Sequence, residues 1–356
     1  NGGKGEWAAI FPNGYNPDDT NHKAVLYVVN IATGTLIATL ETDTSITDNG
    51  LTTAAPVDIN GDRVIDYVYA GDLKGNMWKF DLTNKSAGQW GSAFLQGSTP
   101  KPLFTTQTGQ PITSVPEIGR HPSEGGYMVY FGTGQYYETG DNDPTGYPEQ
   151  TFYAVWDKDD GGAQSHELVK NDLQEQTITY EGVETFGSYS YEIRLTTDNA
   201  VNWTNDYGWY LDLDTTTGER VVNAPLLHGG RVIFVTLIPS THACDYGGTG
   251  WLMELDAATG SRLDVSPFDL NRDDAFTEED YVKTQDTDGD GDVDEDDEIP
   301  TSGKKSKVGI IQKPTIVKAG DKEYKYSSGS KDAEIEMTTE SSNTAGSGRT
   351  SWRQLK

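Results

Sequence analysis

Oxygen-bearing side chains alternate along a short stretch that runs from position 58 to position 66. Its positions 1, 3, 5 and 9 are Asp58, Asn60, Asp62 and Asp66. Calcium takes six to eight oxygen ligands, and alternate residues of a tight loop can point inward while the backbone carbonyl near Val64 supplies another oxygen. Turn chemistry, in which such a side chain caps its own backbone, explains one or two of these residues but not four. The stretch therefore predicts a calcium-binding loop.

The residues that follow this loop predict a β-hairpin. The stretch from Tyr67 to Ala70 is an apolar and aromatic strand, Gly71 to Gly75 is a turn, and Met77 to Asp81 is a returning strand. The loop is thus expected to lead directly into the first strand of a hairpin.

A second acidic stretch fits the twelve-residue loop of an EF-hand. Side-chain ligands are expected at positions 1, 3, 5, 9 and 12 and a backbone carbonyl ligand at position 7, which are Asp286, Asp288, Asp290, Asp294, Asp297 and Asp292. Gly291 stands at the sharp turn and Val293 at the apolar position 8. The twelfth residue is aspartate where EF-hands carry glutamate, which shortens its reach and resembles dockerin-type loops. Calcium binding is expected here too, with a solvated acidic loop as the alternative.

The same layout recurs in a weaker form 17 residues earlier. The expected ligands are the side chains of Asp269, Asn271, Asp273 and Asp280 and the backbone carbonyl of Ala275. Position 6 is Asp274 instead of glycine, and aspartate adopts the left-handed conformation more readily than most residues. The two stretches together predict a dockerin-like acidic insertion over residues 264–300, and again a solvated acidic loop is the alternative.

Acidic residues dominate the composition. The 356 residues carry a formal net charge of −29, and the stretch from Asp264 to Glu298 alone holds 16 acidic residues against two basic ones. Nucleic-acid phosphates require a basic surface, so the charge argues against a nucleic-acid partner. The longest apolar run, Val232 to Ile238 with one threonine inside it, is too short to cross a bilayer, so no membrane span is expected in this chain.

Short, aromatic-rich strands recur along the chain and must position these loops. Strands that end in Asp or Asn and run into a polar or Thr-Gly turn begin at Tyr27, Met77, Phe152, Trp209 and Trp251. Irregular repeats of a few strands each are typical of a β-propeller. The predicted fold class is therefore all-β, a modified β-propeller with an incomplete set of blades in this chain and with inserted EF-hand-like calcium loops. A β-sandwich is the alternative.

The predicted organisation has three parts. Residues 1–263 are expected to form propeller blades, residues 264–300 the acidic insertion, and residues 301–356 the final propeller strands together with the C-terminal segment. Strands are expected at Val308 to Ile311 and at Thr315 to Val317, and the polar stretch from Ser327 to Gly348 is expected to be mobile. Because the chain begins in mid-pattern, upstream residues are expected to supply the remaining blades.

Segments spread from one end of the chain to the other share a more specific pattern. They are D-I-N-G-D-R-V-I-D-Y-V-Y-A-G-D-L-K-G-N-M-W-K-F-D-L at Asp58, W-A-A-I-F-P-N-G-Y-N at Trp7, Y-F-G-T-G-Q-Y-Y at Tyr130, Q-T-F-Y-A-V-W-D at Gln150, G-W-L-M-E-L-D at Gly250 and G-R-T-S-W-R-Q-L at Gly348. Together they resemble the C-terminal domain of the PilY family, the type IV pilus biogenesis factors and tip-associated adhesins of Gram-negative bacteria.

This resemblance implies a modified β-propeller with a calcium site, whose matching ligands are Asp58, Asn60, Asp62, the Val64 carbonyl and Asp66. It also implies that the C-terminal segment with Ser351, Trp352 and Arg353 is a docking segment, a strand that packs back on the propeller. It implies that calcium occupancy controls pilus extension against retraction, and hence twitching motility, together with adhesion to host or abiotic surfaces. The implied partners are the minor pilins of the type IV pilus tip. The implied location is extracellular, at the pilus tip or cell surface, either secreted or associated with the outer membrane. The family's integrin-type R-G-D motif is absent here.

Two other function classes stay open on the residues alone. A quinoprotein dehydrogenase has propeller blades with similar turns and a calcium-bound cofactor, but such enzymes commonly carry a vicinal cysteine pair, and this chain has only Cys244. The five histidines show no ligand spacing and no nucleophile elbow is present, so no enzymatic activity is predicted. The other class is a calcium-dependent binding module, which would recruit a cohesin-like partner through the paired acidic loops or carbohydrate through exposed aromatic side chains.

Overall fold

The computed structural model describes residues 7–15, 21–161, 167–284, 291–293, 297–320 and 322–341. Regular structure in these residues is almost entirely β, which confirms the all-β prediction. Short 3₁₀ turns lie at Ala87–Gln89, Lys170–Asp172, Ala243–Asp245 and Glu278–Asp280. Among the described residues, no helix has the length and apolar character needed to cross a membrane.

The strands of the described residues are mostly short, as the sequence predicts. In chain order they are β1 (Ala8–Pro12), β2 (Val25–Asn30), β3 (Leu36–Glu41), β4 (Ala55–Val57), β5 (Tyr67–Gly71), β6 (Asn76–Asp81), β7 (Gly91–Ser92), β8 (Phe94–Gln96), β9 (Thr99–Lys101), β10 (Phe104–Thr105), β11 (Glu117–Arg120), β12 (Tyr127–Gly132), β13 (Thr151–Asp157), β14 (Leu168–Val169), β15 (Gln174–Gln176), β16 (Ile178–Phe186), β17 (Tyr189–Thr196), β18 (Gly208–Asp212), β19 (Leu226–His228), β20 (Arg231–Val235), β21 (Ile238–Pro239), β22 (Gly248–Thr249), β23 (Trp251–Asp256), β24 (Tyr281–Val282), β25 (Ile299–Pro300), β26 (Gly303–Lys305), β27 (Thr315–Ala319), β28 (Lys322–Ser328) and β29 (Ile335–Ser341).

Four larger sheets follow one another along the chain. The first sheet has the strand order β1-β2-β3, and the second has β14-β10-β6-β5-β4 with β7 also paired to β6. The third sheet has the order β11-β12-β13-β18-β15, and the fourth has β16-β17-β26-β23-β20-β19. A separate C-terminal sheet consists of β27-β28-β29. Pairing in these sheets is antiparallel except between β10 and β14 and between β15 and β18.

The central strands of the middle sheets are buried on both faces. In β13, Tyr153 and Val155 belong to the core shared with the second sheet, whereas Phe152 and Ala154 belong to the core shared with the fourth. Phe152 stacks on Phe234 of β20, with ring centroids 4.0 Å apart. Because successive side chains of a strand point to opposite faces, a strand covered on both sides is apolar at almost every position. Stacking of successive sheets thus explains the continuous apolar runs in this sequence.

A linking segment, residues 168–176, joins the second sheet to the third. Its strand β14 pairs with β10 of the second sheet, and its strand β15 pairs with β18 of the third. Between them, the side-chain carboxylate of Asp172 accepts a hydrogen bond from the backbone N–H of Val169 at 2.9 Å. The backbone carbonyl oxygen of Asp172 accepts one from the backbone N–H of Tyr207 at 2.8 Å. Lys170 forms an ion pair with Asp212 of β18 at 2.6 Å. The two sheets are therefore connected by backbone pairing as well as by apolar contacts.

A buried ion cluster holds the C-terminal sheet against the fourth sheet. Lys325 of β28 contacts Glu254 of β23 and Glu340 of β29. Arg231 of β20 lies 3.3 Å from Glu254 and 3.5 Å from Glu323 of β28. Burial, and then the neighbouring Glu254, raise the pKa of Glu340 well above its usual range, which favours the protonated form. These five residues connect the two sheets by polar contacts, and the sequence did not reveal this connection.

The acidic insertion leaves the fourth sheet after β23 and returns to it at β26. Within it, β24 pairs with β25 at the end of the insertion, and Val282 faces Ile299. Phe268 and Leu270 are buried in a core shared with the fourth sheet. The described part of the insertion is therefore anchored by apolar contacts and is not merely a solvated loop.

Two expectations for the last part of the chain are wrong. Residues Val308 to Ile311 form bends, with a single bridge from Ile311 to Gly329, and their apolar side chains reflect burial rather than strand pairing. The stretch from Ser327 to Gly348 is expected to be mobile, but its described part contains β29, which pairs along its length with β28. Glu340 of β29 belongs to the buried ion cluster, and this long-range contact orders a segment whose local composition favours disorder. Residues 342–356, which include the predicted C-terminal docking segment, lie outside the described residues. The strand expected at Thr315 to Val317 is confirmed as part of β27.

His121 lies between two tryptophan rings. Its ring centroid is 4.4 Å from that of Trp156 and 4.2 Å from that of Trp203. Its Nδ1 accepts hydrogen bonds from the backbone N–H groups of Ser123 and Glu124 at 3.2 and 2.9 Å. Burial lowers the pKa of His121, with Glu124 acting in the opposite direction. The fold therefore favours a neutral imidazole.

Stability is expected to decrease as the pH falls below the ordinary pKa of histidine, about 6.5. The unfolded chain then binds a proton that the folded imidazole binds less readily, so the free energy of unfolding drops. A His121→Gln variant keeps a hydrogen-bond acceptor but does not titrate. Its free energy of unfolding in urea is expected to fall less steeply between pH 7 and pH 5 than that of the wild type. Parallel pH curves for the two proteins would contradict this account of His121.

Candidate metal centre

The 58–66 loop connects β4 to β5 at the edge of the second sheet. Val57 faces Tyr67 across these strands, and the backbone N–H of Asp66 donates to the carbonyl oxygen of Val57 at 2.9 Å. β5 then turns and returns as β6, which confirms the predicted hairpin. Strand pairing therefore fixes both ends of the loop.

The side chains of this loop bond to its own backbone. The two carboxylate oxygens of Asp58 accept hydrogen bonds from the N–H groups of Gly61 and Arg63, each at 2.7 Å. Asn60 and Asp62 each accept one from the residue two positions later, at 2.8 Å. Gly61 and Arg63 have left-handed φ angles of 80° and 73°. Three of the four predicted ligand side chains thus cap the backbone of a tightly wound loop, more than the one or two that turn chemistry was expected to explain.

Asp66 is the buried member of this set, with 8% of its surface exposed. One of its oxygens accepts hydrogen bonds from the backbone N–H of Ile59 at 2.9 Å and from the side-chain amide of Asn60 at 3.4 Å. Burial raises the pKa of Asp66, and the nearby Asp62 and Asp58 raise it further. Among the described residues, no lysine, arginine or histidine pairs with these three aspartates. Crowded carboxylates without a basic partner are the charge balance expected of a cation site.

The 269–280 loop repeats this winding. Both carboxylate oxygens of Asp269 accept backbone hydrogen bonds, from Asp273 at 3.1 Å and Asp274 at 3.2 Å. Asn271 and Asp273 accept from the residues two positions later, at 2.9 and 2.8 Å. Positions 4 and 6 are again left-handed, with φ angles of 62° at Arg272 and 69° at Asp274. Aspartate at position 6 therefore adopts the conformation that the loop pattern requires.

Asp280 closes the 269–280 loop from the protein interior and is fully buried. Its Oδ1 accepts hydrogen bonds from the backbone N–H groups of Leu270 at 2.6 Å and Asn271 at 3.1 Å. Its Oδ2 is enclosed and has no hydrogen-bond partner within the described part of the chain. Burial raises the pKa of Asp280 to about 6, the two backbone bonds oppose the rise, and Asp269 and Asp273 add to it.

Most of the 286–297 loop lies outside the described residues. The predicted ligands outside them are Asp286, Asp288, Asp290 and Asp294. Gly291, at the turn position, has a φ of 100°, Asp292 is exposed, and Asp297 is buried. Calcium binding at this loop stays a prediction.

In the described ranges, no group of three or more His, Cys, Asp or Glu side chains is placed so that it could hold a metal ion. The predicted ligand sets also use asparagine side chains and backbone carbonyls, namely Asn60 with Val64 and Asn271 with Ala275. The structure thus brings the predicted residues into two similar loops, and calcium binding by these loops stays a prediction.

The turn after β5 contains a residue whose role the sequence did not reveal. Asp72 is fully buried, and its carboxylate accepts side-chain hydrogen bonds from Trp78 at 2.8 Å and from Asn76 and Asn49 at 2.9 Å. It also accepts the backbone N–H groups of Lys74 and Asn76, each at 2.9 Å. Asp72 therefore fixes the hairpin that follows the 58–66 loop. The available signal was the G-D-x-x-G-N-x-W spacing, which places a carboxylate near a buried indole.

A family model described as the PilY1 beta-propeller domain matches residues 2–190 of this chain. The matched stretch is more than half of the chain and includes the 58–66 loop with its hairpin. This match confirms the predicted propeller.

Curated relatives carry the same family name. The type IV pilus biogenesis factor PilY1 of Pseudomonas aeruginosa strain UCBPP-PA14 is 36% identical over 307 residues, which cover 75% of this chain and 26% of that protein. A type IV pilus biogenesis factor PilY1 homolog of Xylella fastidiosa is 38% identical over 265 residues, which cover 69% of this chain and 17% of that protein. The chain thus spans about a quarter or less of the length of these relatives.

A solved structure extends the similarity beyond residue 190. The crystal structure of the Pseudomonas aeruginosa PilY1 C-terminal domain matches with a TM-score of 0.78 and 29% sequence identity, and the match covers 95% of this chain and 69% of that chain. The expectation that this chain holds an incomplete set of blades stays a prediction. The chain belongs to the PilY1 family of type IV pilus biogenesis factors, as the C-terminal β-propeller of that family.

Proposed function

We propose that this β-propeller binds calcium in the 58–66 loop and that occupancy of the loop regulates pilus extension against retraction, and with it twitching motility and surface adhesion. Membership of a family of type IV pilus biogenesis factors supports the association with the pilus. Contact with minor pilins and with host or abiotic surfaces, at an extracellular pilus tip or cell surface, belongs to the same proposal.

The crowding of three carboxylates in the 58–66 loop carries this proposal. The groups that would hold the ion are the side chains of Asp58, Asn60, Asp62 and Asp66 and the carbonyl of Val64. A bound calcium ion supplies two positive charges and accepts six to eight oxygen ligands. The raised pKa of Asp66 shows that burial and its two acidic neighbours disfavour its charge, and positive charge in the loop would offset that effect.

The position of the loop gives it a route to the rest of the propeller. The carbonyl oxygen of Asp66 accepts a hydrogen bond from the backbone N–H of Leu82 at 2.8 Å, just after β6. The loop therefore contacts both strands of the hairpin that it precedes. Without positive charge the carboxylates repel one another, and the ordered loop is disfavoured. Such a loop is a local two-state element whose equilibrium a cation shifts.

Removal of a ligand is expected to weaken calcium binding. Calorimetric titration of the chelator-stripped protein is expected to show saturable binding with a raised melting temperature. In Asp62→Ala, the affinity of the 58–66 site is expected to fall at least about tenfold, or about 1.4 kcal/mol. Asp143→Ala is the matched control, because Asp143 is an exposed aspartate that caps the backbone of Thr145 at 2.9 Å in another loop.

The same two variants test the regulatory part of the proposal in cells that express the full-length protein. Asp62→Ala is expected to change the calcium dependence of twitching motility, and Asp143→Ala is expected to leave it unchanged. Wild-type calcium affinity in Asp62→Ala would exclude this metal site. Lost affinity with unchanged retraction would keep the metal site and exclude the switch.

A further inference from the structure

The 269–280 loop combines a candidate cation site with direct contacts to the C-terminal sheet. We infer that this loop binds calcium and that binding there holds the C-terminal sheet (β27–β29) against the fourth sheet. The site is separate from the 58–66 loop, and it stands even if that loop proves not to bind calcium.

The buried carboxylate of Asp280 carries the inference. Its Oδ1 is occupied by two backbone N–H groups, from Leu270 and Asn271, at the start of the loop. Its Oδ2 is equally enclosed and has no donor among the described residues. Buried polar oxygens are nearly always paired, and a buried ionised oxygen requires a donor or a cation. A divalent cation inside the loop would supply the missing partner.

The basic residues near the loop are directed elsewhere. The Nε of Arg272 donates to the hydroxyl of Tyr191 at 3.0 Å, and its guanidinium lies 4.4 Å from the ring centroid of Tyr189. Lys322 of β28 pairs with Asp274, which is outside the predicted ligand set, at 2.9 Å. In the described part of the chain, no lysine, arginine or histidine pairs with the aspartates predicted as ligands. Their negative charge is therefore available to an ion.

The donor set favours calcium over magnesium. The predicted ligand set holds five protein oxygens, from the side chains of Asp269, Asn271, Asp273 and Asp280 and the carbonyl of Ala275. Calcium accepts six to eight oxygens in flexible geometry, whereas magnesium requires near-ideal octahedral geometry and usually keeps several waters. A loop that supplies this many oxygens from the protein fits the larger ion.

The loop also contacts two strands of the C-terminal sheet, the central strand β28 and the edge strand β29. Phe268 forms a bridge with Glu340 of β29, and the backbone N–H of Asp269 donates to the carbonyl oxygen of Thr339 at 3.2 Å. Lys322 of β28 reaches Asp274 in the same loop. Glu340 also belongs to the buried ion cluster. The conformation of this loop and the packing of β29 against the fourth sheet therefore depend on neighbouring residues of β29.

Hydrogen–deuterium exchange on the chelator-stripped full chain, with and without calcium chloride, tests this coupling. In the wild type, calcium is expected to slow exchange over β29 at least about tenfold. Asp280→Asn keeps the size of the side chain and removes its charge, and it is expected to abolish the slowing and to bind one ion fewer in calorimetry. Glu278→Gln, at an exposed position of the same loop outside the ligand set, is expected to retain both properties.

Thermal melts separate loss of the site from loss of the fold. In EDTA, Asp280→Asn is expected to melt at or above the wild-type temperature, because a neutral amide replaces a buried charge. In calcium the order is expected to reverse, because only the wild type gains the full stabilisation from the ion. If Asp280→Asn does not fold, Asp273→Ala decides the question, since Asp273 is an exposed predicted ligand and its loss is expected to have the same effect on binding and exchange.

The proposals of calcium binding at the 58–66 loop and at the 269–280 loop can be refuted independently. Asp62→Ala is expected to lose binding at the 58–66 loop and to keep the calcium effect on β29. The inference is overturned if exchange over β29 does not respond to calcium, if Asp280→Asn and Asp273→Ala bind as many ions as the wild type, or if Asp62→Ala alone abolishes the effect on β29. Slowing by magnesium as strong as that by calcium would overturn the assignment of the ion.

Discussion

Lys325→Met is expected to lower the free energy of unfolding by about 3–5 kcal/mol, because it removes one of the two cations, Lys325 and Arg231, that stabilise the buried carboxylate of Glu254. Lys325 is 1% exposed and contacts Glu254 and Glu340. Burial opposes ionisation of Glu254, but Lys325 and Arg231 outweigh it and lower the pKa of Glu254. Methionine has a similar length and no charge, so the variant removes the charge while filling much of the same space. Urea unfolding at pH 7, followed by tryptophan fluorescence, measures the change.

Two further variants test whether burial of the charges causes the large loss of stability expected for Lys325→Met. Lys74→Met removes an ion pair with Asp48 at 2.9 Å, in which the side chains are 40% and 67% exposed, and it is expected to cost less than about 1 kcal/mol. Glu340→Gln is expected to cost less than Lys325→Met, because the raised pKa of Glu340 already favours its neutral form. A loss in Lys325→Met no larger than that in Lys74→Met would refute the buried ion cluster as a major source of stability.

Asp72→Ala is expected to lower the free energy of unfolding by at least about 3 kcal/mol, because each buried donor left unpaired costs about 1–3 kcal/mol. The donors that lose their acceptor include the indole N–H of Trp78 and the side-chain amides of Asn76 and Asn49. The backbone N–H groups of the turn lose theirs as well. The hairpin after the 58–66 loop is expected to loosen first, and faster hydrogen exchange over β5 and β6 would show it.

An aspartate with few partners provides the comparison for Asp72. Asp43 is half-buried and accepts hydrogen bonds from Ser45, from its backbone N–H at 2.9 Å and its hydroxyl at 2.6 Å, and from no other described residue. Asp43→Ala is expected to cost less than about 1 kcal/mol. Equal losses in the two variants would mean that the number of buried donors around Asp72 does not determine its contribution.

Local patterns predicted the strands and the loops well. The strand expected at Tyr67 to Ala70 is β5 (Tyr67–Gly71), and the one expected at Met77 to Asp81 is β6 (Asn76–Asp81). Both are apolar on two faces because sheets pack on either side, and such runs are readable from the sequence. The spacing of aspartates likewise predicted the two loops that share one winding, since each side chain bonds to backbone within a few residues.

Long-range contacts were beyond the reach of local patterns. Lys325 and Glu254 are 71 positions apart, and nothing near either residue indicates the other. A weak signal existed in Glu254 itself, a charged residue inside the apolar strand β23, because a charge in such a strand requires a buried partner. The order of β29 depends on the same long-range contacts. Its polar composition alone therefore indicated a mobile segment instead of a strand. The burial of Asp280 similarly depends on how Phe268 and Leu270 pack, which the acidic pattern does not specify.

The linking segment described above has a mechanical consequence. Its two short strands are anchored on different sheets, with Leu168 paired to Phe104 and Gln174 paired to Trp209. A pulling force that separated the second sheet from the third would first have to detach one of these anchors or unwind the turn at Lys170–Asp172. Two neighbouring blades are thus tethered by the chain itself, so tension on this domain is resisted by backbone hydrogen bonds in addition to side-chain packing.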